Sequence, residues 1–340
     1  MLSLVAEQLT IHKHVATHLK KRTLKKIYLL ILISFFLLNC KEKAGLNTDL
    51  KPTYYDSEND REERNLYGKV KEIEQYKAIF QNDNDTRKPL PTLKEKFTDF
   101  GSLVKTEYFD NYGEITQIDQ FYYDDNDFLK KSISENHLAK QKMIQLISYD
   151  SINNTTTRNI LLNDSLNHKF ISTFDSNDLI IKQIKIEEKD TVVRSYEYKL
   201  NDNNKRILEI EFEEGKQLSI GTYKYDNQNQ LIESSNKHEW MKQLTKTEWK
   251  NSRITKQTDY TISANSNKHL DRIIEYDKLF NPINEKIYEN SELNRELNYD
   301  YEFDPFGNWI KRTVSMKEHF ANSDKFIPIY IESREIKYWN

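Results

Sequence analysis

The sequence predicts an all-β protein, an antiparallel up-and-down meander of repeated β-hairpins that coils into an open half-shell or partial barrel. One motif recurs from Phe97 onward: an aromatic or apolar residue, Asp or Asn, two variable residues, then Gly, Asn or Asp. Its first residues are Phe97, Tyr123, Tyr149, Phe174, Leu200, Tyr225, Trp249, Tyr276 and Phe303, at intervals of 24 to 27 residues. The segments between the motifs alternate apolar and polar residues, as in Tyr223-Lys224-Tyr225 and Tyr299-Asp300-Tyr301. That period of two makes a strand apolar on one side and charged on the other. Composition agrees: 7 Gly, 6 Pro, 21 Tyr, 16 Phe and 31% charged residues are too aromatic for disorder and too polar for a membrane helix bundle.

The chain starts with a segment of another kind. Lys20, Lys21, Arg22, Lys25 and Lys26 precede the apolar run Ile27 to Leu38, followed by Asn39 and Cys40. Twelve apolar residues are too few to span a bilayer but fit the core of a secretory signal. The end of the run resembles the lipobox of bacterial lipoproteins, with Cys40 as the lipidated residue and Asn39 departing from the usual small residue before it. The expected organisation is a signal peptide over 1–39, a lipidated Cys40 with a flexible tether over 40–64, and a repeat domain over 65–340. Leu24-Lys25-Lys26-Ile27 has the form of an ordinary lipoprotein start, so 1–23 is expected to lie upstream of the true initiation site. Cys40 is the sole cysteine, which excludes an internal disulfide. Thioether diacylglycerol together with an N-acyl chain, palmitate being the usual label, supplies the two anchors that stable membrane attachment requires.

The mature part keeps 45 basic against 53 acidic side chains, a net charge of −8. Nucleic-acid binding needs a basic face, so that class is excluded and the membrane, through Cys40, is the expected contact.

Each repeat motif reads as a turn, most fully in Phe303-Asp304-Pro305-Phe306-Gly307-Asn308-Trp309. Asp304, Pro305 and Gly307 hold the preferred positions of a type I turn closed by a left-handed residue. The Gly307 position is filled elsewhere by Gly101, Asp127, Asn153, Asp178, Asn204 and Asn229, which tolerate positive φ. Arg253 and Phe280 break the pattern, and a one-residue slip to Asn281 is the expected remedy at the second. Two strands of 8 to 10 residues per repeat give about 16 to 20 strands, with the aromatic residues filling the concave face.

These tyrosine-aspartate turns, the Gly307-Asn308-Trp309 motif and the closing segment Ile331 to Tyr338 resemble the Rhs/YD-repeat class, over residues 65 to 340. The resemblance implies a hairpin shell like that of small Bacteroidetes lipoproteins and an outer-membrane address; it transfers no functional residue.

No catalytic constellation accompanies the repeats, so no enzyme and no cofactor are expected. His137, His168, His238, His269 and His319 form no metal-ligand spacing, and the first four fall between turns, where they line one edge of the sheet. Asp124-Asp125-Asn126-Asp127 and Asn82-Asp83-Asn84-Asp85 lack the Gly and the final Glu of a calcium loop, and no nucleophile elbow or phosphate loop is present. The expected function is therefore a lipid-anchored envelope binding protein for a protein or glycan partner, with toxin-neutralising immunity as the alternative and an envelope hydrolase third. Residues 315–326 interrupt the strand pattern before an expected edge strand; this makes Trp309, Phe320 and Trp339 the candidate recognition residues.

Overall fold

A computed structural model of the chain describes residues 60–82, 85–86, 88–188, 190–319 and 325–340. Cys40 and Phe320, and with them the expected signal peptide and lipidation, lie outside the described residues. A four-residue helix, α1 (Asp60–Glu63), is followed by strands throughout. The first are β1 (Val70–Asn82), the two-residue β2 (Asp85–Thr86), β3 (Leu90–Phe97), β4 (Leu103–Phe109), β5 (Ile115–Tyr123), β6 (Leu129–Asn136) and β7 (Gln141–Asp150). Then come β8 (Thr155–Leu162), β9 (Ser165–Phe174), β10 (Ile180–Glu187), β11 (Asp190–Leu200), β12 (Arg206–Glu213), β13 (Lys216–Tyr225) and β14 (Leu231–Lys237). The last are β15 (Met241–Lys250), β16 (Arg253–Ser263), β17 (Lys268–Tyr276), β18 (Pro282–Glu289), β19 (Glu292–Phe303), β20 (Trp309–Glu318) and β21 (Ile327–Tyr338).

Every strand from β3 to β21 pairs antiparallel with its neighbours in sequence, as a meander requires. The expectation of an open half-shell is nevertheless wrong. β1 pairs with β3 on one side and with β21 on the other, the second pairing running from Val70↔Tyr338 to Ile79↔Tyr330. With β2 hanging only from the end of β1, the other 20 strands form a closed barrel. The physical reason is the edge: an open sheet leaves two rows of unpaired amides and carbonyls, whereas closure pairs them all. β21 is thus no edge strand. The expected interruption at 315–326 is also shorter, since β20 runs on to Glu318.

Closure needs strong, regular coiling, and nearly every repeat supplies it at the same place. One residue past the turn a β-bulge skips Val104, Lys130, Ile181, Ile207, Ile232, Thr255, Ile283 or Ile310. A bulge increases local twist and bends its strand, so a bulge in nearly every hairpin at one end curls the sheet uniformly. The hairpin at Asp150 has none, with Asp150 directly opposite Thr155.

The turns work as the motif predicts. The side-chain oxygens of Asp124, Asp175, Asn201, Asp226, Asp277 and Asp304 each accept the amides two and four residues on. The fifth motif residue is left-handed at Gly101, Asp127, Asp178, Asn204, Asn229 and Gly307. Three details differ. Asn154 takes the positive φ in place of Asn153. Asn251 and Ser252 form a two-residue turn, so Arg253 already opens β16. Phe280 adopts φ 62° itself, without the slip to Asn281, and its ring stacks on Tyr276 at 4.6 Å; that contact offsets the cost of a bulky left-handed residue.

Cross-strand partners share a face, so the pairings divide the side chains into two surfaces. One carries Ile73, Gln75, Glu95, Thr106, Ser132, Gln145, Ser172 and Gln183 in a continuous row. Most of the buried polar residues belong to it, and α1 packs on it, so it is the lumenal face. The outer face at the seam carries Glu72, held by Lys96 of β3 at 3.1 Å and Lys337 of β21 at 2.6 Å, and Glu74, held by Lys94.

Glu72 loses stabilising solvation by burial, but its lysine bonds outweigh this and hold its carboxyl below the ordinary 4.5; the Lys94 bond does the same for Glu74. A carboxylate with a depressed folded-state pKa stabilises the fold above its unfolded value, and that contribution is lost as pH falls through the folded value. Thermal stability is therefore expected to drop as pH falls from 4.5 downward, and Glu72→Gln to show a shallower drop; an equal slope in both proteins would refute the role of the cluster.

Candidate functional site: the lumenal face and its mouth

The repeat aromatics converge inside one end of the barrel. The hydroxyls of Tyr123, Tyr149 and Tyr225 donate to the carbonyls of Leu103, Leu129 and Arg206 at 2.7, 3.0 and 3.1 Å, and Trp249 Nε1 donates to Leu231 O at 2.8 Å. Where the motif begins with Leu200 or Phe303, the tyrosine two residues earlier takes over: Tyr198 bonds Ile180 O and Tyr301 bonds Pro282 O. Each acceptor is the first residue of a strand, beside the bulge where ladder pairing is irregular. Recurrence of the aromatic position thus has a structural cause.

Below this ring lies a charged belt. Arg312 Nε meets Glu332 at 2.8 Å; Tyr299 donates to Glu285 at 2.7 Å; Arg272 bonds Asp259 at 2.8 and 3.0 Å and approaches Glu285 at 3.7 Å; Thr245 donates to Asp259 at 2.9 Å. A second group lies on β11 to β13: Arg194 holds Glu211 at 3.1 Å and Glu213 at 3.0 Å, and Arg206 holds Glu209 at 2.7 Å with its guanidinium 4.7 Å from the Tyr223 ring. Burial pushes the Tyr196, Tyr223 and Tyr301 hydroxyls up to about 12, so all three stay protonated donors at neutral pH. From β4 to β10 the lumenal face carries the small or neutral Thr106, Ser132, Gln145 and Ser172, all deeply buried, with Gln145 1% exposed, and beside them the charged Asp119 and Arg158.

The mouth is bridged by residues 60–67. Asp60 to Arg64, which the sequence reading assigns to the tether, are docked instead. Asp60 Oδ2 accepts Leu103 N at 2.6 Å, Arg61 donates to Asp99 O at 2.7 Å and to Val70 O at 3.2 Å, and Arg64 bonds Glu95 at 2.8 Å. Leu66 packs with Val70, Ile73, Phe97 and Leu103. On the far side Asn65 Nδ2 donates to Leu279 O at 2.5 Å, and the Tyr67 hydroxyl donates to the same carbonyl at 3.1 Å. The segment therefore ties turns on both sides of the seam.

The expected turn motif turns out to be the lock of this plug. Asp304 caps its turn and also accepts the Tyr338 hydroxyl. Gly307 stands at φ 93°, with the Tyr67 ring alongside. Asn308 is 2% exposed; its Oδ1 accepts Tyr67 N at 2.7 Å and its Nδ2 donates to Tyr67 O and the Tyr338 hydroxyl, both at 2.8 Å. Pro305 fills its turn position without a further contact to the plug. Trp309, expected at a recognition surface, is instead 8% exposed on the lumenal side, with Arg334 3.5 Å and Arg312 4.9 Å from its ring. Trp339 lies across the strand ends, its amide bonded to Lys69 O at 2.8 Å and Lys71 4.5 Å over its ring. The structure does not gather Trp309 and Trp339 into one loop surface.

His137, His168, His238, His269 and His319 fall at the barrel end opposite the plug, spread over separate hairpins, and among the described residues no three His, Cys, Asp or Glu side chains come together as a metal site. In Asp124-Asp125-Asn126-Asp127, Asp124 is occupied by the turn and by Lys130 at 3.4 Å; Asp83 and Asn84 lie outside the described residues. Arg312, Arg334 and Glu332 carry no motif, and only the alternation of the last two strands, carried through their pairing, marks them as lumenal.

Fold and site together define a closed, even-stranded antiparallel barrel, the architecture of bacterial envelope barrels. No family model matches the chain and no curated protein matches it. Among solved structures, a porin-like protein from Bacteroides uniformis is similar at 11% identity and a TM-score of 0.33, over 79% of this chain and 98% of that one. At that similarity the strand arrangement rests on the pairings above and not on the match.

Asn308→Ala leaves the amide and carbonyl of Tyr67 without partners. It is expected to cost about 2–4 kcal/mol in denaturant unfolding and to speed amide exchange over 60–67; unchanged exchange there would show that the plug is held by other contacts.

Proposed function

We propose that the protein is a non-catalytic binding protein of the bacterial envelope, tethered to the outer membrane through lipid on Cys40, whose binding surface is the lumenal face. The observation that carries the binding reading is the charged and aromatic belt itself. Fixed Asp, Glu and Arg side chains alternate with the rings of Tyr223, Tyr299, Tyr301 and Trp309 on one enclosed wall. Paired carboxylates and guanidinium groups hold sugar hydroxyls, and aromatic faces cover the apolar face of a pyranose, so a glycan is the partner this wall fits.

The outer face supports a lipid tether over a lipid-embedded barrel. Lys105–Glu107, Lys246–Glu233, Lys286–Glu296 and Lys311–Glu302 are outward pairs, and charge continues across the seam at Glu72, Lys94 and Lys337. A charged side chain in the middle of the hydrocarbon costs about 2–4 kcal/mol for Lys, so a wall bearing this many is a water-facing wall. The outward residues of β7 to β13 are more apolar, among them Ile144, Ile184, Ile210 and Phe212, but they do not girdle the barrel. The Rhs/YD-like turns fit the same reading, a rigid hairpin-repeat scaffold carrying a surface.

In a host that processes lipoproteins, the wild type is expected to take up palmitate and to partition with membranes, and Cys40→Ala to lose both; equal, unlabelled behaviour would remove the anchor. On an array of envelope polysaccharides, Asp259→Asn with Arg272→Gln is expected to weaken binding by at least about 10-fold, the scale of one or two lost charged hydrogen bonds. The outward change Glu296→Gln is expected to leave binding unchanged, and equal loss in both would place recognition outside the lumen.

A further inference from the structure

Arg334 differs from the four ion-paired arginines of the belt. Arg194, Arg206, Arg272 and Arg312 each hold a carboxylate. Arg334 makes one hydrogen bond, from Nε to the neutral Gln75 Oε1 at 3.1 Å, and among the described residues no carboxylate lies within ion-pair distance of it. Both carboxylates nearest it are already engaged: Glu95 by Arg64 at 2.8 Å and Glu332 by Arg312. Its guanidinium carbon lies over the Trp309 ring, 3.5 Å from the centroid, and Lys77 lies 3.7 Å from the centre of the Tyr330 ring on the adjacent strand. In a mature chain of net charge −8, this corner of the lumen is rich in cations.

We propose that Arg334, backed by Trp309, is the anion subsite of the lumen and receives an oxyanion, a carboxylate or a phosphate group, of the bound ligand. The inference deepens the glycan reading by making the ligand an acidic one, and it rests on that reading for the rest of the ligand. A guanidinium with its Nε committed to Gln75 keeps the two terminal nitrogens for a planar or tetrahedral oxyanion, which a guanidinium holds by two parallel hydrogen bonds. Arg334 is half-buried, so the group is enclosed by the wall yet reachable from the lumen. Burial is the largest influence on Arg334 and, with the like charge of Arg312, outweighs the opposing pull of Glu95 and Glu332 and brings it down to about 9; a buried cation whose neighbouring carboxylates are committed to Arg64 and Arg312 is a cost to the fold that an arriving anion reduces.

That cost separates a ligand site from a structural one. If Arg334 held the barrel together, replacing it would destabilise the protein; if it waits for an anion, replacing it with a neutral side chain relieves the fold. Binding of galacturonate, galactose and inorganic phosphate to the purified full chain would be measured by calorimetry, alongside melting temperature. The expected result is that galacturonate or phosphate binds more tightly than galactose, that Arg334→Gln weakens the acidic probe at least about 10-fold, and that its melting temperature is unchanged or about 2 °C higher. Arg334→Lys, which keeps the charge without the fork, is expected to retain part of the affinity. Galacturonate alone responding identifies a carboxylate, and phosphate alone a phosphoryl group. Neither acid binding the wild type, equal binding by Arg334→Gln, or a fall in its melting temperature would overturn the proposal. Neutral glycans still bound through Asp259 and Arg272 would leave the wider glycan reading standing.

Discussion

The pairing of β1 with β21 is the constraint on which the rest of the molecule depends. It joins residues about 260 apart in sequence and removes both edges of a sheet that would otherwise expose two rows of unpaired backbone groups. Without it there is no inside. The lumenal row, the charged belt and the mouth exist because alternate side chains of every strand are turned toward one axis. The seam is accordingly fastened more than once: by the backbone ladder, by the outward lysine-glutamate cluster around Glu72, and by the inward packing of Leu66, Ile73 and Ile336.

The plug and the repeat depend on one another. Asn308 and Asp304 belong to the last repeat turn, and their side chains reach Tyr67, just before β1, and Tyr338, the last residue of β21. A turn motif that elsewhere only closes a hairpin here also fastens the start of β1 to the end of β21. Gly307 itself is favoured by its φ of 93°, a backbone conformation that side chains rarely adopt.

Much of this was legible in the residues. Periodic Tyr-Asp turns specified hairpins, and residues such as Asp178, Asn204 and Asn229 marked the left-handed positions correctly. Phe280 was not legible, because its strain is offset by a ring contact with Tyr276 that no short pattern encodes. Closure was not legible either: the hydrophobic alternation of β1 and β21 is the same whether they are edges or neighbours, and their pairing is the longest-range contact in the sheet. The site followed suit. Trp309 stood out by residue type, but its lumenal placement, and the isolation of Arg334 from Glu95 and Glu332, follow only from register across the seam. Arg61 and Arg64, read as tether, dock because Val70 O on β1, Glu95 on β3 and Asp99 O in the turn after β3 await them later in the sequence.

Hydrogen exchange along β21 tests closure most directly. In a closed barrel the amides of Tyr330 to Ser333, paired with β20 on one side and with β1 on the other, are protected without alternation. Uniform slow exchange across this stretch is the result the account predicts. Alternating fast and slow amides along it, the pattern of an edge strand, would contradict closure and with it the lumenal site.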